Sequence, residues 1–170
     1  NEYSQAWNIK PSELLAIKMA QTLKRLESNE ALSPLQDWLA IEKNSPRVMT
    51  MLAMSYQEAG EKEKAIATYE ELLTMHTTNA VAMNNLAWLY HEKSNPKAEE
   101  LAKKASEIAA GNPAILDTYG WILFENGRAN EASVILEKAY RLDQGSAEIK
   151  EHLLAAYKAT GKTFNAADFQ

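Results

Sequence analysis

A period of 33 to 34 residues runs through this chain and constrains its fold more than any other feature. Gly60, Gly127 and Gly161 mark it, each a few residues after an aromatic or large apolar side chain. Gly127 and Gly161 stand 34 apart, and Gly60 and Gly127 stand 67 apart, one step of 34 and one of 33. Four further columns keep the step: Tyr56, Tyr90, Leu123 and Tyr157; Leu52, Leu86, Tyr119 and Leu153; Ala53, Ala87, Gly120 and Leu154; Ala65, Ala98, Ala132 and Ala166. The shorter middle step falls at the Ser94–Asn95–Pro96 turn. Columns that stay in register at one spacing imply a single supersecondary unit stacked on copies of itself.

The unit is a pair of helices. Met49, Leu52, Ala53 and Tyr56 fall at i, i+3, i+4 and i+7, one face of a helix over Pro46–Glu58, and Ala65, Tyr69 and Leu72 repeat the pattern over Lys64–Leu73. Small residues at Ala53, Ala87 and Gly120 let the two helices of a pair approach closely. Ser33-Pro34, Ser45-Pro46, Asn95-Pro96 and Asn112-Pro113 each place a capping side chain before a proline suited to the first helical turn. Gln36 three residues after Ser33 completes a capping-box pattern. The three glycines suit the left-handed residue that ends a helix. About nine full helices and part of a tenth are expected, without strands.

This spacing resembles the tetratricopeptide repeat, a 34-residue helix–turn–helix. The resemblance covers Pro46–Asn79, Ala80–Asn112 and Pro113–Ser146, a degenerate repeat over about 12–45 with Leu15, Met19, Ala31, Leu35 and Trp38 in the expected columns, and a partial repeat over 147–170. It implies an all-α fold, a right-handed superhelical solenoid of antiparallel helix hairpins with about nine to ten helices, forming a single domain over residues 1–170. Residues 1–10, with Tyr3, Trp7 and Ile9, read as the end of a preceding helix or an unpacked arm, and Thr163–Gln170 reaches only the start of a second helix. A fragment of a longer array is expected, with self-association through open repeat ends as one consequence.

The phrases AVAMNNLAWLY at Ala80–Tyr90, NPAILDTYGWILFENGR at Asn112–Arg128 and EASVILEKAY at Glu131–Tyr140 resemble the C-terminal repeats of bacterial tetratricopeptide lipoproteins of the PEP-CTERM/exosortase sorting system. That resemblance implies a periplasmic or envelope setting rather than the cytoplasm, and a link to exopolysaccharide. The lipid-bearing cysteine of such a lipoprotein has no counterpart, since the sequence holds no cysteine. This also excludes a disulfide framework, a thiolate zinc site and a cysteine nucleophile. No apolar run approaches the roughly 20 residues that span a bilayer.

In this fold the first helix of each hairpin lines a groove. Its outward columns hold Thr50 and Met54, then Asn84, Asn85, Trp88 and His91, then Asp117, Trp121 and Phe124, then Glu151 and His152. Trp88 and Trp121 share a column, as do Thr50, Asn84, Asp117 and Glu151. Large apolar groups flanked by amides and carboxylates can anchor an extended peptide, or stack on a sugar ring as the alternative. Core filling is the competing fate of both tryptophans. An acidic track favours a neutral or basic partner. The net charge of −5 argues against nucleic acid, which calls for a basic face.

Co-chaperones of this fold clamp a partner's terminal carboxylate with Lys, Asn and Arg. Here the corresponding columns hold Thr50, Met54, Asn85, Ala114 and Thr118, of which Asn85 alone fits. Trp38 falls in a core column of a second helix. Of six methionines, Met49 matches a core column while Met51 and Met54 do not. Glu99–Lys103 and Glu100–Lys104 read as i, i+4 pairs on a solvated face.

Asp117, Glu148 and Glu151 beside His152 invite a glycosidase reading, and Asp117, Glu151 and His152 a metal. No nucleophile elbow, phosphate loop or His-Glu-x-x-His motif accompanies them, and His91-Glu92 and His76 stand apart. The expectation is therefore a non-catalytic binding scaffold with no catalytic residue, cofactor or metal.

Overall fold

The computed structural model describes residues 2–169, apart from the side chains of Glu2 and Ser4. Asn1 and Gln170, the outermost residues of the two terminal segments read above, lie outside it. The described residues form ten α-helices and no strand. These are α1 (Glu2–Ile9), α2 (Glu13–Arg25), α3 (Ser33–Ile41), α4 (Pro46–Glu58), α5 (Lys62–Met75), α6 (Ala80–Glu92), α7 (Lys97–Ile108), α8 (Pro113–Glu125), α9 (Ala129–Leu142) and α10 (Ala147–Thr160), followed by a 3-10 turn over Ala166–Phe169. They divide into two compact units, residues 1–77 and 78–170.

The period is written into the backbone more completely than into the side chains. Five residues in the left-handed region stand 33 or 34 apart: Glu27 (φ 53°), Gly60 (76°), Ser94 (53°), Gly127 (78°) and Gly161 (71°). After each, the next amide donates to the carbonyl five residues back. Ser28 reaches Leu23 at 3.0 Å, Glu61 Tyr56 at 2.9 Å, Asn95 Tyr90 at 2.8 Å, Arg128 Leu123 at 2.9 Å and Lys162 Tyr157 at 2.9 Å. This is one helix-ending motif used five times. Two of the five lack glycine, so glycine spacing alone misses them.

Helix starts follow a column as well. Ser12 accepts from the Leu15 amide (3.3 Å), Asn79 from Ala82 (3.0 Å), Asn112 from Ala114 and Ile115 (3.1 and 3.4 Å), and Ser146 from Ile149 (3.3 Å). Ser45 occupies the same column but makes no side-chain cap. Buried, its hydroxyl donates to Glu13 Oε2 at 2.7 Å and ties α4 to α2. The Ser33 expectation also changes, because Ser33 is already helical and Leu32 caps α3 without a side-chain bond. Gln36 donates to the Tyr56 hydroxyl at 3.0 Å, so no capping box forms. Asn95 does accept from the Lys97 amide, at 3.0 Å.

In the first unit, α4 packs on α5 and α2 on α3, with α3 also against α4. Ile17, Ala20, Leu35, Val48 and Leu52 form its core, and Tyr56, half-buried, packs at the edge. Ala65, Tyr69 and Leu72 of α5 are fully buried. Trp38 is half-buried rather than enclosed, and Trp7 of α1 meets it edge-on at 6.5 Å.

In the second unit, α6–α7 and α8–α9 are the hairpins, and α10 packs on α9. Gly120 sets the approach of α8 to α9, since a Cβ there would lie 2.7 Å from Leu136 Cγ. Two columns break at the C-terminal end. Leu154 is exposed where Ala53 and Ala87 are buried, and Ala166 is exposed where Ala65, Ala98 and Ala132 are buried. The expected start of a second helix is a 3-10 turn instead. Its Phe169 is buried against Tyr140 (5.0 Å, edge-on) and stacked on Phe164 (5.5 Å). Gln144 Nε2 holds the Phe169 carbonyl at 2.8 Å. Phe164 and Phe169 thus both pack edge-on against Tyr140 of α9.

Candidate functional site

The sequence-expected site residues fall in both units. In the first, Thr50 is half-buried and donates to the Pro46 carbonyl of its own helix at 2.7 Å, while Met54 is exposed. Its hydroxyl is committed to the backbone, so Thr50 offers a ligand mainly its methyl group. Met49 is buried as its core column requires, whereas Met51, outside that column, is half-buried and packs against the core of the first unit.

In the second unit, α8 lies between α6 and α10, so three first helices stand side by side. Trp88 on α6 and Trp121 on α8 are both half-buried, neither sealed in the core nor free in solvent. Their surroundings differ. Trp88 has the His91 ring at 5.9 Å and a 45° tilt. Trp121 is held in a near-parallel stack, with Phe124 of its own helix at 5.0 Å and His152 of α10 at 4.0 Å. A ring flanked this way is orientationally fixed, and much of its face is already in use. Trp121 is therefore a locked element, whereas Trp88 is the less constrained of the pair.

Asn84 and Asn85 are linked, Nδ2 of the first donating to Oδ1 of the second at 3.2 Å. The Asn84 Oδ1 atom is shielded from solvent and has no hydrogen-bond partner. Asp117 is buried at 7% exposure, where the flanking acids Glu148 and Glu151 are exposed. His152 Nδ1 lies 2.9 Å from both Asp117 oxygens. In the neutral imidazole that nitrogen carries the proton and donates it, which fixes the tautomer and leaves Nε2 as an acceptor.

Asp117 and His152 thus join α8 to α10, and Trp121 lies on the joined ring. The acids expected to cluster do so selectively: Asp117, Glu148 and His152 offer donor atoms within 4.8 Å of one another. Glu151 is not in this set, and the metal reading that used it instead of Glu148 changes accordingly. Glu148 and His152 share a face because they are four residues apart on α10, a spacing visible in the sequence. What no spacing reveals is the stacking of His152 on Trp121, since the two belong to different repeats.

One expected surface pair proves to be structural. Glu100–Lys104 forms at 2.8 Å, but Glu99 turns from Lys103 to Arg128 and to Asn126 Nδ2 (2.9 Å), tying α7 to the turn between α8 and α9. Lys103 pairs with Glu107 at 3.9 Å. Arg128, held also by Glu131, has its acidity weakened further by both carboxylates, and Glu131 is drawn below the usual carboxylate range by Arg128.

A family model described as tetratricopeptide repeat matches residues 46–76 and 114–146. Those two segments take in α4–α5 and α8–α9. A TPR repeat-containing protein of Pseudomonas aeruginosa is 28% identical over 110 residues, 60% of this chain and 19% of that protein. The uncharacterized protein ycf37 of Pyropia yezoensis is 30% identical over 118 residues, 64% of this chain and 66% of that protein. The chain thus spans about a fifth of the first relative and about two thirds of the second. Among solved structures, MamA from Desulfovibrio magneticus aligns with a TM-score of 0.75 at 18% identity, covering 94% of this chain and 93% of that one. YrrB, described as a TPR protein with an unusual peptide-binding site, aligns at 0.73 and 17%, covering 99% and 89%. The first TPR of Spaghetti, bound to an HSP90 peptide, aligns at 0.64 and 19%, covering 69% and 94%. The fold is of the tetratricopeptide type, and the repeats matched by the family model lie within it.

Proposed function

We propose that this chain is a non-catalytic scaffold of tetratricopeptide repeats that binds an extended segment of a partner protein on the side-by-side first helices of its second unit. The observation that carries this reading is the column of half-buried tryptophans, Trp88 and Trp121, on adjacent helices α6 and α8. Half-burial leaves apolar area to be covered by a ligand while the rest of each ring stays anchored. Asn85 stands three residues before Trp88 on α6, its Oδ1 accepting from Asn84, so a bound segment would run beside this amide pair. The exposed carboxylates of Glu92, Glu125, Glu148 and Glu151 select a neutral or basic segment. In the first unit, taken by itself, Thr50 and Met54 occupy the equivalent repeat positions on α4. YrrB, described with an unusual peptide-binding site, and Spaghetti, bound to an HSP90 peptide, give the fold a precedent for this use.

The envelope and exopolysaccharide setting belongs to this proposal through the phrase resemblance at residues 80–90, 112–128 and 131–140. The half-buried and less constrained ring of Trp88 favours a second reading, in which a neutral glycan stacks on it. Self-association through the repeat ends is a third outcome.

A random peptide library selected on the immobilised chain tests the first reading, against the Trp88→Ala/Asn85→Ala variant with helicity checked by circular dichroism. Neutral to basic peptides that bind the wild type, weaken as salt rises and fail on the variant support it. Salt-insensitive capture of a neutral polysaccharide without peptide enrichment supports the glycan reading. Sedimentation that depends on protein concentration, with neither ligand bound, supports self-association.

A further inference from the structure

Asp117 raises a problem of charge that the peptide-binding reading does not address. It is a carboxylate at 7% exposure on a helix packed between two others, and a carboxylate removed from water requires a compensating positive charge. Among the described residues no lysine or arginine pairs with it, and its partner is His152, which is neutral in its unprotonated form. His152 satisfies the hydrogen bonding of Asp117 in either form, and it balances the charge only when both its ring nitrogens carry protons.

We infer that Asp117, Glu148 and His152 form a binding site for a divalent transition cation of the Zn2+ class. The donor set is one imidazole nitrogen and two carboxylates, a combination suited to Zn2+ and its neighbours rather than to Mg2+ or Ca2+, which take oxygen ligands. Ligand atoms about 2.0–2.2 Å from a zinc ion stand roughly 3 to 3.5 Å apart. His152 Nδ1 and the Asp117 oxygens stand at 2.9 Å, so an ion that takes the place of the imidazole proton must open this gap to the spacing its ligands need. Glu148 completes the set within 4.8 Å. It is exposed in the first turn of α10, so its side chain can rotate to close the remaining distance. Three features hold the site in place. Asp117 is fixed by burial on α8, the His152 ring is clamped by Trp121 at 4.0 Å, and Glu148 shares the His152 face at the i, i+4 spacing. The bound ion would pin α10 to α8 and neutralise the acidic end of the first-helix face. This inference departs from the expectation of no metal and stands independently of the peptide-binding proposal.

The test is calorimetric titration of the chelator-treated chain with ZnCl2, monitored in parallel by tryptophan fluorescence. The expected result is one Zn2+ per chain with a change in Trp121 emission, and no response to MgCl2 at the same concentration. Glu148→Gln, an exposed change that leaves the fold intact, is expected to weaken binding by more than the about 10- to 100-fold that losing an outer-sphere partner costs, and His152→Gln to abolish it. His91→Ala is expected to leave it unchanged. Absence of saturable Zn2+ binding, or binding that survives Glu148→Gln or is lost in His91→Ala, would overturn the inference.

Discussion

Asp117 and Tyr157 occupy neighbouring helices and show how burial changes what one side chain does. Asp117 would be an ordinary surface acid in solvent, but enclosed on α8 it becomes the anchor of the His152 ring. Tyr157 on α10 is buried too, donates to Glu137 Oε1 at 3.0 Å and lies under Lys162. Burial, and then the hydrogen bond to Glu137, push its phenol from 10.0 up to about 12. The folded state therefore holds this proton more tightly than the unfolded chain does. Its contribution to stability is complete below pH 10.0 and is lost as pH rises through about 12. Chemical denaturation at stepped pH should show stability falling across that window. In Tyr157→Phe the fall should be shallower, with Tyr119, also shifted upward by burial, accounting for part of what remains.

At the scale of the element, the hairpin α8–α9 depends on one missing side chain. A Cβ on Gly120 would lie 2.7 Å from Leu136 Cγ and 2.8 Å from its Cδ2, so even Gly120→Ala forces the fully buried Leu136 or the helix to shift. The gain of about 1 kcal/mol in helix propensity from alanine opposes a packing cost of about 1–3 kcal/mol. The net expectation is destabilisation, read as a lower denaturation midpoint at unchanged slope, and a larger loss for Gly120→Val. This contact was legible in sequence, because Ala53, Ala87 and Gly120 form a column of small residues. The helix-ending glycines were legible for the same reason. Glu27 and Ser94 were not, because their left-handed backbone follows from the 6→1 hydrogen bond of the turn and not from residue type. Ser45 was misread because its partner, Glu13, is 32 residues away. Glu99 was misread for a similar reason, since a near lysine on its own helix competes with an arginine two helices on. The groove columns were readable as positions, but their chemistry was not. The Trp121–His152 stack and the Asp117–His152 bond join different repeats, and periodicity within a repeat carries no information about them.

At the scale of the molecule, two sets of tryptophans separate the two compact units. Trp7 and Trp38 meet edge-on in residues 1–77, while Trp88 and Trp121 stand on adjacent first helices in residues 78–170. The chain is acidic overall at −5, and α6, α8 and α10 carry the exposed acids Glu92, Glu125, Glu148 and Glu151. The central claim is that this face, and not the half-buried Trp7–Trp38 pair of the first unit, receives a partner segment. Its most direct test follows the four indole N–H resonances by nitrogen-15 NMR while the uniformly labelled chain is titrated with a peptide selected on it. The account predicts that the Trp88 and Trp121 signals move and saturate together, while those of Trp7 and Trp38 hold their positions. Saturable peptide binding that shifts Trp7 or Trp38, or leaves Trp88 and Trp121 unmoved, would contradict it.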